Sequence, residues 1–251
     1  MSVASYWGEA SEQRLNFTGS AVVGWLTMAN DSAYYFPNGA KDADLGRLAT
    51  DCTAAADPLV DFTQFHGVIA QFNGSLGCCG WGGGHTLSLD GQTKSYGFVW
   101  LPPHGTPPRS VGLVALEVGH SIGLPHSGGP YGRTYDSRWD VMSSSSPYRD
   151  LATNRTFGAT TISYHKLLLE WIPLVRRFVA TAPVSSALVE RLALPGPDNY
   201  QVVVVPIRGT PNYYTIESRR RVGYDAQLAF EGVVIHHVQP SGRAEPAWVV
   251  H

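Results

Sequence analysis

The segment VALEVGHSIGLPHS, residues 114–127, constrains this 251-residue chain more than any other. Ser110 is a good helix N-cap and Gly123 is a good stop, so the sequence predicts a helix from about Ser110 to about Gly123. At about 100° per residue, the helix has one apolar stripe, which predicts its core face. That stripe consists of Val111, Val114, Ala115, Val118 and Ile122.

The opposite face of this helix carries the residues that could form a catalytic or metal-binding site. Leu116, Glu117 and His120 lie there, and Gly123 lets the chain reverse so that His126 returns towards the same point. A lone Glu-x-x-His is usually a solvated helix face. The longer pattern H-E-x-x-H-x-x-G-x-x-H is far more specific, because its three histidines bind zinc and its glutamate activates a water. This chain departs from the ligand pattern at one position, where Leu116 stands in place of the first histidine.

A second segment strengthens the pattern. YDSRWDVMS, residues 135–143, resembles the methionine turn of metzincin zinc peptidases, whose methionine lies beneath the zinc-binding histidines. Other segments resemble secreted gametolysin-like and immune-inhibitor-A-like peptidases. These segments are SYWGEASEQRLNFTGSAVVGWLTM, DCTAAADPLVDFTQFHGVIAQF, CGWGG, YYTIESRRRVGYD and EGVVIHHV.

The resemblance implies an α+β fold. A metzincin-like catalytic domain, with a mixed twisted sheet, an active-site helix and a Met turn, would occupy residues 1–176, and a small β-rich region would occupy residues 177–251. It also implies zinc as the cofactor, a protein or peptide as the substrate, and an extracellular location. Carried over by position, Glu117 is the catalytic base, His120 and His126 are metal ligands, and Gly123 and Met142 are structural.

Leu116 puts the metal in question, because catalytic zinc takes three protein ligands and leucine has no lone pair. We therefore expect zinc to bind weakly or not at all. Three explanations stay open: a pseudopeptidase that binds a peptide or matrix without cutting, an active family with one changed residue, or a substitute ligand. Glu117 could ligate at the expense of its role as base. Among the histidines, His85 and His104 precede the helix in loops and are candidate substitutes, and we expect His165, His236 and His237 to be structural.

The composition excludes several other classes of function. Hydrophobic residues make up 43% and charged residues 15%, which is enough apolar material for a sizeable core. The net charge is -2 and the basic residues are scattered, so nucleic acid is a poor candidate partner.

No apolar run reaches the length of a membrane span, so we expect no membrane segment. The N-terminus lacks a signal peptide, so we expect either an intracellular protein or a mature form or fragment whose leader is missing. The final AWVVH resembles the middle of a strand, which favours a fragment.

The cysteines leave several pairings open. Adjacent cysteines rarely bond to each other, so Cys78 and Cys79 are not expected to pair. One bridge from Cys52 to Cys78 or Cys79 is plausible in an oxidising compartment, and we note Cys52 with Cys79 as the candidate disulfide. The sequence is equally consistent with three cysteines that are simply small buried side chains. A Cys/His metal site with His85 is weaker, because the chain has no C-x-x-C pair.

Local patterns predict most of the remaining elements. We expect strands at residues 21–28 and 65–73, and helices at residues 41–57 and 162–172. Residues 78–103 are glycine-rich and then strand-like, with Asp90-Gly91 as a turn. Short strands are expected in YQVVVVPI, NYYTIESR and GVVIHHV.

Overall fold

The computed structural model describes residues 1–103, 110–182 and 186–250. These residues form a mixed α/β protein with several sheets and few helices, which agrees with the predicted α+β class. The helices are α1 (Val3–Ala10), α2 (Ser32–Tyr35), α3 (Leu45–Ala56), α4 (Val111–Ser121) and α5 (Ser163–Leu168). The strands are β1 (Gly67–Gln71), β2 (Trp81–Leu89), β3 (Gln92–Leu101), β4 (Tyr148–Asp150), β5 (Arg155–Phe157), β6 (Arg177–Val179), β7 (Val202–Pro206), β8 (Tyr213–Arg219), β9 (Gly232–Val238) and β10 (Ala247–Val249).

The chain divides into two compact units. One consists of Phe17–Gly123, and the other joins Met1–Asn16 to Leu124–His251. Neither limit falls at residue 176, where the sequence predicts a domain boundary. The strands expected beyond that boundary do form one sheet, which lies inside the second unit. The predicted division into two domains stays a prediction.

The unit Phe17–Gly123 is built around a sheet of order β1-β3-β2. β1 runs parallel to β3, and β2 pairs with β3 in the antiparallel sense through the turn at Asp90 and Gly91, which both have positive φ. Since side chains alternate along a strand, β3 presents Phe98 and Trp100 to a core shared with Leu48 of α3. The opposite face packs against α4. This sheet confirms a strand within residues 65–73, and it confirms the strand structure and the Asp90-Gly91 turn predicted within residues 78–103.

One predicted strand is wrong. Residues 21–28 have no strand structure, and Val22 and Trp25 are 96% and 74% exposed. The β-branched and aromatic content of this segment suggested a strand. Such residues favour a strand when they pack against neighbours on a sheet, and here the segment joins no sheet.

The other unit is organised by a sheet of order β10-β9-β8-β7-β6. β7, β8 and β9 confirm the short strands expected in that region. β8 buries Thr215, Glu217 and Arg219 on one face. α5 ends earlier than predicted. Glu170 adopts a left-handed conformation (φ 56°), and the Trp171 amide donates a hydrogen bond to the Lys166 carbonyl, which ends the helix.

Candidate active site

α4 confirms the helix predicted for the key segment. The Ser110 hydroxyl accepts a hydrogen bond from the Leu113 amide at 3.1 Å, which satisfies one of the free amides at the start of the helix. At the other end, Gly123 has φ 93°, a conformation that glycine adopts at little cost. The sequence therefore encodes both ends of the helix that carries Glu117 and His120.

The face of α4 that carries Leu116 and Glu117 is buried at both positions. Leu116 is 5% exposed and Glu117 is 4% exposed. Val111, Val114, Ala115 and Val118 are also buried, as the apolar stripe predicts. Residues on both faces of the helix are therefore buried, because a helix wheel gives the direction of each side chain but not what packs against it.

Glu117 lies against the glycine-rich start of β2. A Cβ at Gly82 would overlap the Glu117 carbonyl, and a Cβ at Gly80 would lie 3.3 Å from Glu117 Cγ. Only residues without a side chain allow α4 to lie this close to the strand. Burial raises the pKa of Glu117 from 4.5 to about 7. A carboxyl group with such a pKa can both accept and return a proton near neutral pH.

His120 lies in the last turn of α4 and is half-buried. It shares this helix with Leu116 and Glu117, in the unit Phe17–Gly123. The structure places the other two predicted site residues, His126 and Met142, in the second unit.

His126 is oriented by the predicted Met turn. His126 Nδ1 lies 2.9 Å from the carbonyl oxygen of Met142, and the Tyr135 ring meets the imidazole edge-on with centroids 5.1 Å apart. Because a carbonyl can only accept, Nδ1 must carry the proton, and the lone pair of this ring is then on Nε2. Metal-binding histidines in proteins are commonly held by such a hydrogen bond. The Met142 side chain is fully buried.

The predicted ligands provide one donor fewer than a catalytic zinc site needs. The predicted ligands supply two imidazoles, whereas catalytic zinc takes three protein ligands. Across residues 1–103, 110–182 and 186–250, no three side chains of His, Cys, Asp or Glu form a group that could hold a metal. The predicted ligands thus lack one donor of the set that the resemblance implies.

The other histidines lie in varied surroundings. His85 packs edge-on against Phe98 and Trp100. His165 and His236 are fully buried, and His236 pairs in register with Thr215. His104 lies outside the residues that the structure describes.

Asp140 is a residue that reasoning from the sequence missed. It is fully buried two positions before Met142, and its carboxylate accepts a hydrogen bond from the Ser127 hydroxyl at 2.6 Å. His165 Nδ1 lies 3.1 Å from the same carboxylate oxygen. The available signal was a single acidic residue inside the apolar centre of the Met-turn segment, WDVM.

The cysteine pairing in the structure differs from the candidate bridge. Cys78 is joined to Cys79, and Cys52 is a free thiol. The predicted pairing of Cys52 with Cys79 is therefore wrong. Cys52 packs against the core beneath α3, and burial raises the pKa of its thiol.

A cleft of about 390 Å³ in the second unit is lined by Glu190, Arg191, Ser218 and Arg220 among others, with none of the predicted site residues. In the described part of the chain, no helix has the length and apolar character needed to cross a membrane.

Comparisons with protein-family models, with curated proteins and with solved structures found no match. The resemblance to metzincins therefore stays a prediction that rests on the quoted motifs.

Proposed function

We propose that this chain is a secreted endopeptidase of the metzincin type whose zinc site lacks one ligand. Peptide-bond hydrolysis would then be strongly impaired by Leu116. The observation that carries the proposal is the buried carboxyl of Glu117, whose pKa of about 7 suits a general base three residues before His120. The hydrogen bond from His126 Nδ1 to the Met142 carbonyl adds support, because it puts the lone pair of the ring on Nε2, as in a metal-binding histidine.

The chemistry of this chain's own residues follows from that pKa. Near neutral pH, Glu117 can take a proton from an attacking water and return it to the leaving amine. In the metzincins that the motif resembles, bound zinc polarises the carbonyl and the water. Here the zinc ligands would be His120 and His126, with no donor at position 116. The low number of donors predicts a low affinity for zinc and slow turnover.

A cleavage assay tests this proposal. Leu116→His should raise zinc-dependent hydrolysis of casein by roughly 100-fold or more, since a missing first ligand should cost at least as much as the 10–100-fold typical of outer-shell changes. The double variant Leu116→His/Glu117→Gln is the matched control and should be inactive. If the folded histidine variant binds zinc and cleaves no protein substrate, the proposal fails.

A second candidate function is a peptide- or matrix-binding module without catalysis. It is favoured by the burial of Leu116, which places an apolar side chain where a ligand would stand. A peptide library presented to the metal-free protein separates the two functions. Tight, metal-independent binding without cleavage would favour the module, and metal-dependent turnover by the chain as written would exclude it.

A further inference from the structure

We propose that Asp140 is the positioning residue for His126, acting through the two chain segments that hold the imidazole ring. The functional meaning of this role rests on the proposed function. The orientation of His126 can nevertheless be tested in the metal-free protein.

Asp140 makes contacts on both sides of its carboxylate. One oxygen accepts from the Ser127 hydroxyl at 2.6 Å, and the other accepts from the Thr161 hydroxyl at 3.0 Å. The backbone of Met142 also helps to lower the pKa of this carboxylate. The Asp140 side chain thereby joins the residue that follows His126 to the segment that ends at Met142.

The carboxylate is held in its charged form. Burial alone would raise the pKa of Asp140, but the charge and hydrogen bond of His165, with the hydrogen bonds from Ser127 and Met142, outweigh it and lower the pKa to about 2. His165 Nδ1 lies 3.1 Å from Asp140 Oδ2 and 2.9 Å from the Thr161 hydroxyl. A charged acceptor forms stronger hydrogen bonds than a neutral one, so the Asp140 carboxylate holds its hydrogen-bond partners firmly in place.

The connection to His126 is short. The Met142 carbonyl accepts from His126 Nδ1 at 2.9 Å, and Ser127, whose hydroxyl donates to Asp140 at 2.6 Å, lies next to His126 in the chain. The Ser127 amide also approaches this carbonyl, at 3.4 Å. Asp140 thus holds the segment whose carbonyl accepts from His126 Nδ1, and this hydrogen bond favours the Nδ1–H tautomer of the ring.

A purely structural role is the competing explanation. The buried contact between Asp140 and His165 could stabilise the unit without any effect on His126. Asp225 provides a matched control, because it is also a buried aspartate in the same unit, and it bonds to the Thr160 amide and to Arg219 rather than to the segments around His126. The same Asp→Asn change at either position removes a buried carboxylate.

The experiment records long-range ¹H–¹⁵N correlations of the histidine rings in metal-free protein labelled with ¹⁵N. Loss of one set of signals in His126→Gln assigns the His126 ring. The parent chain should show His126 as the Nδ1–H tautomer. Asp140→Asn and Ser127→Ala should each shift it towards a mixture of tautomers, and Asp225→Asn should leave it unchanged even if the unfolding temperature falls.

Two results would overturn the proposal. One is an unchanged His126 tautomer in folded Asp140→Asn or, if that variant does not fold, in Ser127→Ala. The other is an equal change in Asp225→Asn, because that would mean general loosening of the unit.

Zinc titration separates this proposal from the proposed function. In the Leu116→His background, Ser127→Ala should weaken zinc binding roughly 10-fold or more, as expected for a group that orients a ligand. If Leu116→His binds no zinc, the proposed function fails while the tautomer result still decides the role of Asp140. An unchanged zinc affinity together with a changed tautomer would contradict the link between the two.

Discussion

Among single residues, Glu117 has the clearest consequence for pH dependence. Burial raises the pKa of its carboxyl group from 4.5 to about 7 in the folded protein. The folded state therefore holds the proton more tightly than the unfolded state. The stability that this group contributes is fully present below about pH 4.5 and is lost as the pH rises through about 7.

We predict that Glu117→Gln stabilises the protein at pH 8, because glutamine carries no charge to desolvate. The gain in the free energy of unfolding should reach about 3 kcal/mol at pH 8 and should shrink to near zero below pH 4.5. Urea unfolding of parent and variant across this range measures the difference. Glu170→Gln, at an exposed position, should show little change. A difference for Glu117→Gln that does not vary with pH would contradict the assigned cause.

The residues of the site were only partly predictable from the sequence. The positions of Glu117 and His120 on one helix follow from local spacing and from the caps at Ser110 and Gly123. The burial of Leu116 does not follow, because it depends on what the rest of the fold places beside α4. Asp140 was missed for a similar reason, since its partners Thr161 and His165 are distant in sequence.

At the level of elements, the glycines of β2 determine how closely α4 can pack. A Cβ at Gly82 would overlap the Glu117 carbonyl, whereas a Cβ at Gly83 would meet nothing within 4 Å. The two glycines are adjacent on one strand and point to opposite faces of the sheet.

We therefore predict that Gly82→Ala destabilises the protein by about 1–3 kcal/mol through overpacking. The midpoint of urea unfolding measures this cost, and Gly83→Ala is the matched control with little expected change. Equal effects of the two substitutions would show that strand propensity, and not contact with α4, decides the outcome.

Elements with local signals were predicted well. α4 has caps at both ends, and the hairpin of β2 and β3 has its Asp90-Gly91 turn, so neither depends on distant segments for its recognition. Residues 21–28 show the opposite case, because a strand needs a neighbouring strand as well as suitable residues. The early end of α5 was also missed, since no sequence pattern marked the left-handed conformation of Glu170.

At the scale of the whole molecule, the second unit depends on charges buried beneath its sheet. Arg219 is fully buried and donates to Glu217 and Asp225, each at 2.8 Å. Burial alone would lower the pKa of Arg219, but these two carboxylates outweigh it and raise the pKa. Removal of the arginine would leave two buried carboxylates without their partner.

We predict that Arg219→Met costs about 3–5 kcal/mol in the free energy of unfolding, because it breaks a buried ion pair from one side. The neighbouring Arg220 has a side chain that is 59% exposed and pairs with Glu231 at the surface, so Arg220→Met should cost less than about 1 kcal/mol. Chemical denaturation of both variants provides the comparison. Similar losses at the two positions would contradict the role assigned to the buried charges.

The measurement that bears most directly on the function is the zinc content of the whole chain. The parent and Leu116→His proteins would be dialysed together against trace zinc, and the zinc bound per chain would be quantified. We predict about one zinc per chain for the histidine variant and far less than one for the parent, since zinc requires the third ligand. One zinc bound by the parent, or none bound by the folded histidine variant, would contradict a zinc site that lacks a single ligand.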